Sequence, residues 1–177
     1  IPGAEDPHVF SLWTLRDMDA IEDWLTHRGP EHAVVVGGGF IGLEMVEALR
    51  KREVKVELVE RLPQVMPNLE PEIGGYLQEE LEAYGVGVHT SRSVKEISQR
   101  DVLLDDGRRL PADMVLMSVG VKPTLKLAEE AGLTTGNSGG LVVDSFLRTS
   151  DPDIYAAGDM VEIEHRVGGR KVRIPLA

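Results

Sequence analysis

Ala33-Val-Val-Val36-Gly37-Gly-Gly39-Phe-Ile-Gly42-Leu-Glu44 is the stretch of this 177-residue chain that decides its fold. A β-branched run feeds directly into Gly37-x-Gly39-x-x-Gly42, and an amphipathic helical pattern follows at once. Then Val54-Lys-Val-Glu-Leu-Val-Glu60 makes a second apolar strand that ends in a carboxylate. Each part has a physical job on a dinucleotide. Gly37 permits the tight strand-to-helix turn, Gly39 lets the backbone approach a pyrophosphate, and Gly42 lets helix and strand pack closely. The helix N-terminus brings unpaired N–H groups and a partial positive charge. Glu60, 23 positions beyond Gly37, stands where an acid that binds ribose hydroxyls is expected. A Gly-x-Gly-x-x-Gly without this context is a weak signal. Here the strand before, the helix after and the second strand with its terminal acid are all present.

Bulk composition narrows the classes. The length suits one domain with appendages, and 42% hydrophobic with 28% charged residues is ordinary for a globular protein. A net charge of −11 lacks the basic footprint of a nucleic-acid surface. No apolar run approaches a membrane span, and no signal-peptide pattern opens the chain, so a cytoplasmic location is expected. There are no cysteines, which excludes disulfides, zinc thiolate sites and a redox thiol within these residues. His8, His27, His32, His89 and His165 are scattered without metal-ligand spacing and read as surface or structural groups.

Working outward, residues 1–11 carry Pro2, Gly3 and Pro7 and read as an irregular connector. Thr14 with Asp17 suits a capped helix start. Met18, Ile21, Trp24 and Leu25 form its apolar stripe, which reads as a packed face rather than a stacking site, and Gly29-Pro30 stops it. After the 54–60 strand, Pro63, Pro67 and Asn68 make a loop. A helix opens at Glu70-Pro71-Glu72 and buries Leu77, Leu81 and Tyr84 before Gly85. Residues 86–90 are a short third strand. A β-meander then replaces a third crossover helix: 93–98 and 102–104 read as short antiparallel strands, Asp105-Asp106-Gly107 is a hairpin turn signal, and 114–119 is an apolar strand fit for a central position. A turn at Gly120-Val-Lys-Pro123 leads to a short helix, 124–131. Short strands are expected at 141–144 and 154–157, and a hairpin over 161–174 turning at Gly168-Gly169. The fold class is α/β: a Rossmann-like three-layer βαβ nucleotide-binding domain with an antiparallel β-meander.

Three ordered motifs resemble those of the FAD-dependent pyridine nucleotide-disulfide oxidoreductases. Gly37–Glu44 is similar to that family's NAD(P)H-binding turn. Asp113-Met-Val-Leu-Met-Ser-Val-Gly120-Val-Lys-Pro123 resembles the strand and turn closing its nicotinamide domain. Asp153-Ile-Tyr-Ala-Ala-Gly158-Asp159 resembles its second flavin motif. Within the family, Phe40-Ile-Gly-Leu-Glu44 and Val59-Glu-Arg-Leu-Pro63 are closest in tone to coenzyme A-disulfide reductases and NADH oxidases. Ferredoxin and rubredoxin reductases and nitrite reductase flavoprotein subunits share the same motifs. The first flavin-binding glycine turn, the redox cysteine and the dimerisation domain of the full enzymes have no counterpart among these residues. The resemblance therefore implies a nicotinamide domain belonging to a longer, homodimeric flavoenzyme. Residues 1–30 are then connector and helix, 31–133 the NAD(P)H-binding domain, and 134–177 a partial FAD-domain segment with remnant strands. Those strands would lack their sheet neighbours, so self-association through exposed edges is expected.

The roles that the resemblance implies attach to particular residues. Gly37, Gly39 and Gly42 frame the pyrophosphate. Phe40 and Ile41 lie beside the nicotinamide, where the aromatic can cover the flavin; simple packing is the plain alternative for Phe40. Glu44 lies near the carboxamide and the flavin, or else is a first-turn carboxylate favoured by the helix dipole. Glu60 binds the adenine ribose hydroxyls and repels the 2′-phosphate of NADPH, by about 4 kcal/mol for unit charges about 4 Å apart at an effective dielectric near 20. NADH is therefore expected over NADPH, although Arg61 is the residue type that takes a 2′-phosphate. Val119 and Gly120, ending a central strand, approach the nicotinamide, and Asp159 the flavin ribityl chain. No residue is assigned a catalytic role and no metal is expected. The cofactors are NADH, with NADPH as the other choice, and FAD in the whole protein. Hydride would pass from NADH to FAD and on to a disulfide, dioxygen or an electron-transfer protein. These residues alone are expected to be inactive. Two other readings stay open: a stand-alone NAD(H)-binding regulatory module and a single-Rossmann dehydrogenase. The latter lacks a convincing catalytic set.

Overall fold

The computed structural model describes residues 1–120 and 122–174. Of the expected features, Val121 of the Gly120–Pro123 turn and residues 175–177 lie outside the described residues. The chain forms two compact units, one of residues 1–120 and one from 121 onward.

The first unit is built on a parallel sheet. Its strands are β1 (Val9–Ser11), β2 (His32–Val36), β3 (Lys55–Val59), β4 (Gly87–His89) and β8 (Met114–Met117), in the spatial order β1-β8-β2-β3-β4. Helices α1 (Leu15–Arg28), α2 (Phe40–Lys51) and α3 (Pro71–Ala83) connect them, and the strands β5 (Val94–Ile97), β6 (Asp101–Leu104) and β7 (Arg109–Pro111) form a separate antiparallel sheet before β8. Successive strand residues face opposite sides, and two cores follow from that alternation. Ala33, Val35, Val56, Leu58, Met114 and Leu116 meet Ile21 of α1, Val46 and Leu49 of α2, and Leu77 and Leu81 of α3. Val34, Val36, Val59 and Val115 meet Ile97, Val102, Leu104 and Leu110 of the meander. The sheet is thus covered on both faces, which is why β2 and β8 read as continuous apolar runs rather than alternating ones.

Local signals act as their chemistry requires. Thr14 and Asp17 form a reciprocal capping box on α1, and Gly29 ends that helix in the left-handed region. Trp24 packs edge-to-face on Phe10, centroids 5.5 Å apart, with the Arg28 guanidinium over its ring.

Three expectations are corrected. Residues 9–11 are a strand rather than irregular connector, because pairing Val9 with Val115 of β8 supplies the order that three residues lack alone. Tyr84 caps α3 from outside the core, 68% exposed. Residues 154–157 are no strand. They make one isolated antiparallel bridge, Arg148 to Tyr155, carried by the Ala156 N–H on the Leu147 carbonyl and the Thr149 N–H on the Ile154 carbonyl, while the Ile154 N–H closes a turn onto Asp151.

The second unit contains α4 (Lys126–Glu130), β9 (Leu141–Val142), β10 (Val161–Glu164) and β11 (Lys171–Val172). β10 pairs parallel with β9 and antiparallel with β11, the latter as the expected hairpin.

Candidate functional site

All five strands of the main sheet are parallel, so the segments leaving β2, β3, β4 and β8 gather at one carboxyl edge. The sequence walks from β2 through β3 to β4 in one direction, while β8 and β1 lie on the other side of β2. The order therefore reverses between β2 and β8. A crevice at such a switch point is where open α/β sheets take their ligands.

Two loops close on each other there. A Cβ on Gly37, whose φ is +108°, would lie 2.3 Å from the Ser118 carbonyl oxygen. A Cβ on Gly42 would lie 2.0 Å from the carbonyl of Gly37. Neither position admits a side chain. Gly39 differs: its φ is −85° and nothing stands within 4 Å of the place its Cβ would occupy. The turn is therefore packed behind Gly37 and Gly42 and open in front of Gly39. Gly39 is also the N-cap of α2, with no side-chain cap and no acid in the first turn. The partial positive charge of that helix end is thus left uncompensated by its own helix. Glu44, expected in the first turn on one reading, sits in the second and is exposed.

Glu60 is 8% exposed. Its Oε2 accepts the Gly38 N–H at 2.7 Å and its Oε1 accepts the Leu62 N–H at 2.7 Å. The acid at the end of β3 is thereby tied to the glycine turn and to its own loop. The Gly38 carbonyl in turn accepts the Met66 N–H at 2.7 Å. Gly38 is clamped on both of its peptide groups by the segment that follows β3.

Around this frame, Phe40 is 49% and Val119 67% exposed, large apolar groups on the two facing loops. Ile41 is half-buried, while Arg61 and Gly120 are exposed. Beyond β4, Arg92 and Arg108 both reach Asp106, at 2.7 and 2.8 Å. The Arg108 backbone N–H and these guanidinium groups hold the Asp106 carboxyl down at about 2. The Arg92 N–H also bonds the Glu60 carbonyl. Arg108 donates to His89 Nδ1, so His89 Nε2 carries the proton given to Glu57. A separate cleft of about 630 Å³ lies at the opposite, amino edge of the sheet, where His8, Glu31, His32 and Asp113 enter or open their strands.

In the second unit Asp159 is exposed, beside Gly158 in the turn before β10. Glu162 is buried and accepts the hydroxyl and the N–H of Ser138, which draws its carboxyl below the usual range. It thereby pins the glycine-rich loop. Among the described residues no group of His, Asp and Glu is arranged to hold a metal ion, and no helix is long and apolar enough to cross a membrane.

Of the residues singled out in the sequence, Gly37, Gly39, Phe40, Ile41, Gly42, Glu60, Arg61, Val119 and Gly120 lie on segments of one sheet edge, with Glu44 a turn further along α2. No sequence motif predicts the clamp on Gly38. Its trace in the sequence is the apolar pair Val65-Met66 set between Pro63 and Pro67.

The family model described as pyridine nucleotide-disulphide oxidoreductase matches residues 1–176. The chain belongs to the pyridine nucleotide-disulphide oxidoreductase family. Among family relatives, the NADH oxidase of Methanocaldococcus jannaschii is 36% identical over 179 residues, covering 99% of this chain and 40% of that protein. The large subunit of nitrite reductase (NADH) of Escherichia coli K12 is also 36% identical, over 96% of this chain and 20% of its own length. Among solved structures, reduced Bacillus anthracis CoADR-RHD superposes with a TM-score of 0.93 at 38% identity, covering 99% of this chain and 32% of that one. An NAD-dependent persulfide reductase from A. fulgidus gives 0.92 at 38% identity, with 99% and 33% covered. The chain thus spans two fifths or less of the length of these oxidoreductases.

Proposed function

We propose that the first unit binds NADH across its carboxyl edge, and that the protein to which it belongs uses this NADH to reduce FAD. The observation that carries the reading is the contrast within the glycine turn: closed by backbone behind Gly37 and Gly42, open at Gly39 before an uncapped helix. That is the cradle a pyrophosphate needs, because its oxygens must approach backbone N–H groups that no side chain covers. Phe40, Ile41, Glu44, Val119 and Gly120 would line the nicotinamide end. Glu60 and Arg61 would meet the adenine ribose. Each carboxylate oxygen of Glu60 has a second lone pair beyond its bond to Gly38 or Leu62, so it can still accept from a ribose hydroxyl. The same fixed negative charge disfavours a 2′-phosphate. Asp159 would face the flavin in the whole protein.

When bound, NADH supplies the hydride; this domain supplies binding and orientation. The backbone turn fixes the pyrophosphate, Glu60 fixes the ribose, and the exposed faces of Phe40 and Val119 offer apolar cover that excludes water from the ring. As the electron acceptor we propose a disulfide, dioxygen or an electron-transfer protein; relatives named NADH oxidase, NAD(P)H sulfur oxidoreductase and ferredoxin reductase subunit support a reading in which the acceptor varies. Calorimetric titration of the chain with both nucleotides tests the site. NADH is expected to bind more tightly than NADPH, and tighter NADPH binding overturns the role of Glu60.

A further inference from the structure

We infer that Gln64 is a positioning residue for the pyrophosphate turn, acting through Met66 on the peptide groups of Gly38 and Gly39. This inference rests on the reading of Gly37–Gly42 as the dinucleotide turn. The side-chain amide of Gln64 donates to the Met66 carbonyl at 3.4 Å and to the Leu69 carbonyl at 3.0 Å. Both partners are acceptors, so the group facing them is the NH₂. Met66 is buried, 4% exposed, and its φ is +47°, the left-handed region that a long side chain rarely adopts. Such a conformation persists only where its surroundings over-determine it, and residues held this way cluster at ligand sites. Here the surroundings are identifiable. The Leu69 N–H bonds the Met66 carbonyl, the Gln64 amide bonds the same carbonyl, and Val65 packs on Gly38 with 0% exposure.

The consequence is carried by one peptide plane. In a trans peptide the C=O and the following N–H point in opposite directions. The Met66 N–H takes the Gly38 carbonyl at 2.7 Å and so fixes the direction of the Gly39 N–H. Gly39 is the residue whose face meets open space. The donor offered to the phosphate is therefore aimed from behind, through Met66 and Gln64.

The chain makes room for this device. Gly74 sits in the first turns of α3, buried, where glycine is a poor helix former. A Cβ there would lie 2.9 Å from the Gln64 Nε2 and 3.0 Å from its Cδ. The missing side chain is the space that the amide occupies.

The test compares the 177-residue chain with Gln64→Met, which keeps the length and removes the donor, and with Gly74→Ala, which crowds the amide. Each is titrated with NADH and with adenosine, which lacks the pyrophosphate, and followed by amide NMR. The Kd for NADH is expected to rise about tenfold in both variants, the cost of misplacing a backbone donor to a charged phosphate. Adenosine binding should stay within about twofold, and the Gly39 amide should shift before any ligand is added. If Gln64→Met does not fold, Gly74→Ala decides. Equal losses for NADH and adenosine make Gln64 merely structural and overturn the inference. Wild-type NADH binding with unchanged variants overturns it alone, whereas a wild-type chain that binds no NADH overturns it together with the dinucleotide reading.

Discussion

Replacing Glu60 is the sharpest probe of how the glycine turn is held. Its carboxylate is 8% exposed and accepts two backbone N–H groups, from Gly38 and Leu62, each at 2.7 Å. Hydrogen bonds to a charged group contribute about 1.5–3 kcal/mol each, and a buried donor left without a partner loses its hydration as well. Glu60→Gln keeps one acceptor oxygen but turns an NH₂ toward the other N–H. One bond becomes a donor–donor contact, so the expected loss is about 2–3 kcal/mol. Glu60→Ala strands both donors and should cost about 3–5 kcal/mol. Both tryptophans of the chain, Trp13 and Trp24, belong to the first unit, and Trp24 packs on the helical core. Urea unfolding followed by tryptophan fluorescence therefore reports this unit and not the second. The expected order of stability is wild type, then Gln, then Ala, at unchanged m. If both variants unfold within about 0.5 kcal/mol of the wild type, as an ordinary surface substitution would, the carboxylate does not bridge the turn and the clamp on Gly38 is wrong.

Gly42→Ala and Gly39→Ala should separate packing from binding. An alanine Cβ at 42 would stand 2.0 Å from the Gly37 carbonyl, so this variant should lose about 2–3 kcal/mol of stability. At 39 the space is open and φ is −85°. Stability should stay within about 0.5 kcal/mol there, yet the Kd for NADH should rise about tenfold or more as the methyl occupies the pyrophosphate cradle; unchanged affinity removes the phosphate from that position. Asp106 predicts a pH effect of definite sign. Its carboxyl lies at about 2 in the folded chain against an ordinary 3.8. A depressed folded value gives stability that is present above the ordinary value and is lost as pH falls from about 4 toward 2. The Asp106 carboxyl ¹³C shift should titrate with a midpoint near 2, and a midpoint near 3.8 would show that the Arg92 and Arg108 contacts do not form in solution.

Much of this architecture was legible in the residues because their chemistry is local. Thr14 and Asp17 make a capping box wherever a helix can start, Gly29 ends a helix by its own φ, and the β-branched run Val34–Val36 favours a strand. What could not be read depended on distant partners. Strand β1 is three residues long and exists through Val115, more than a hundred positions away. Residues 154–157 have the composition of a strand, but among the described residues their ladder stops at the single bridge from Tyr155 to Arg148. The same division runs through the site. The positions of Gly37, Gly39 and Gly42 follow from spacing alone. The inward turn of Glu60 onto Gly38 does not, because a strand-end acid can equally point to water. The Gln64–Gly74 fit is invisible to any local pattern, since it joins a loop to the interior of the next helix.

The central claim is that NADH lies on the carboxyl edge between β2 and β8, and amide NMR of the chain during NADH titration tests it most directly. A saturable one-site response is predicted, with the largest shifts at Gly37–Gly42, at Glu60 and at Val119–Gly120, and little change at the amino-edge residues His8, Gly29 and Asp113. Absence of saturable binding, or shifts centred on the amino edge or on the second unit, would contradict the account.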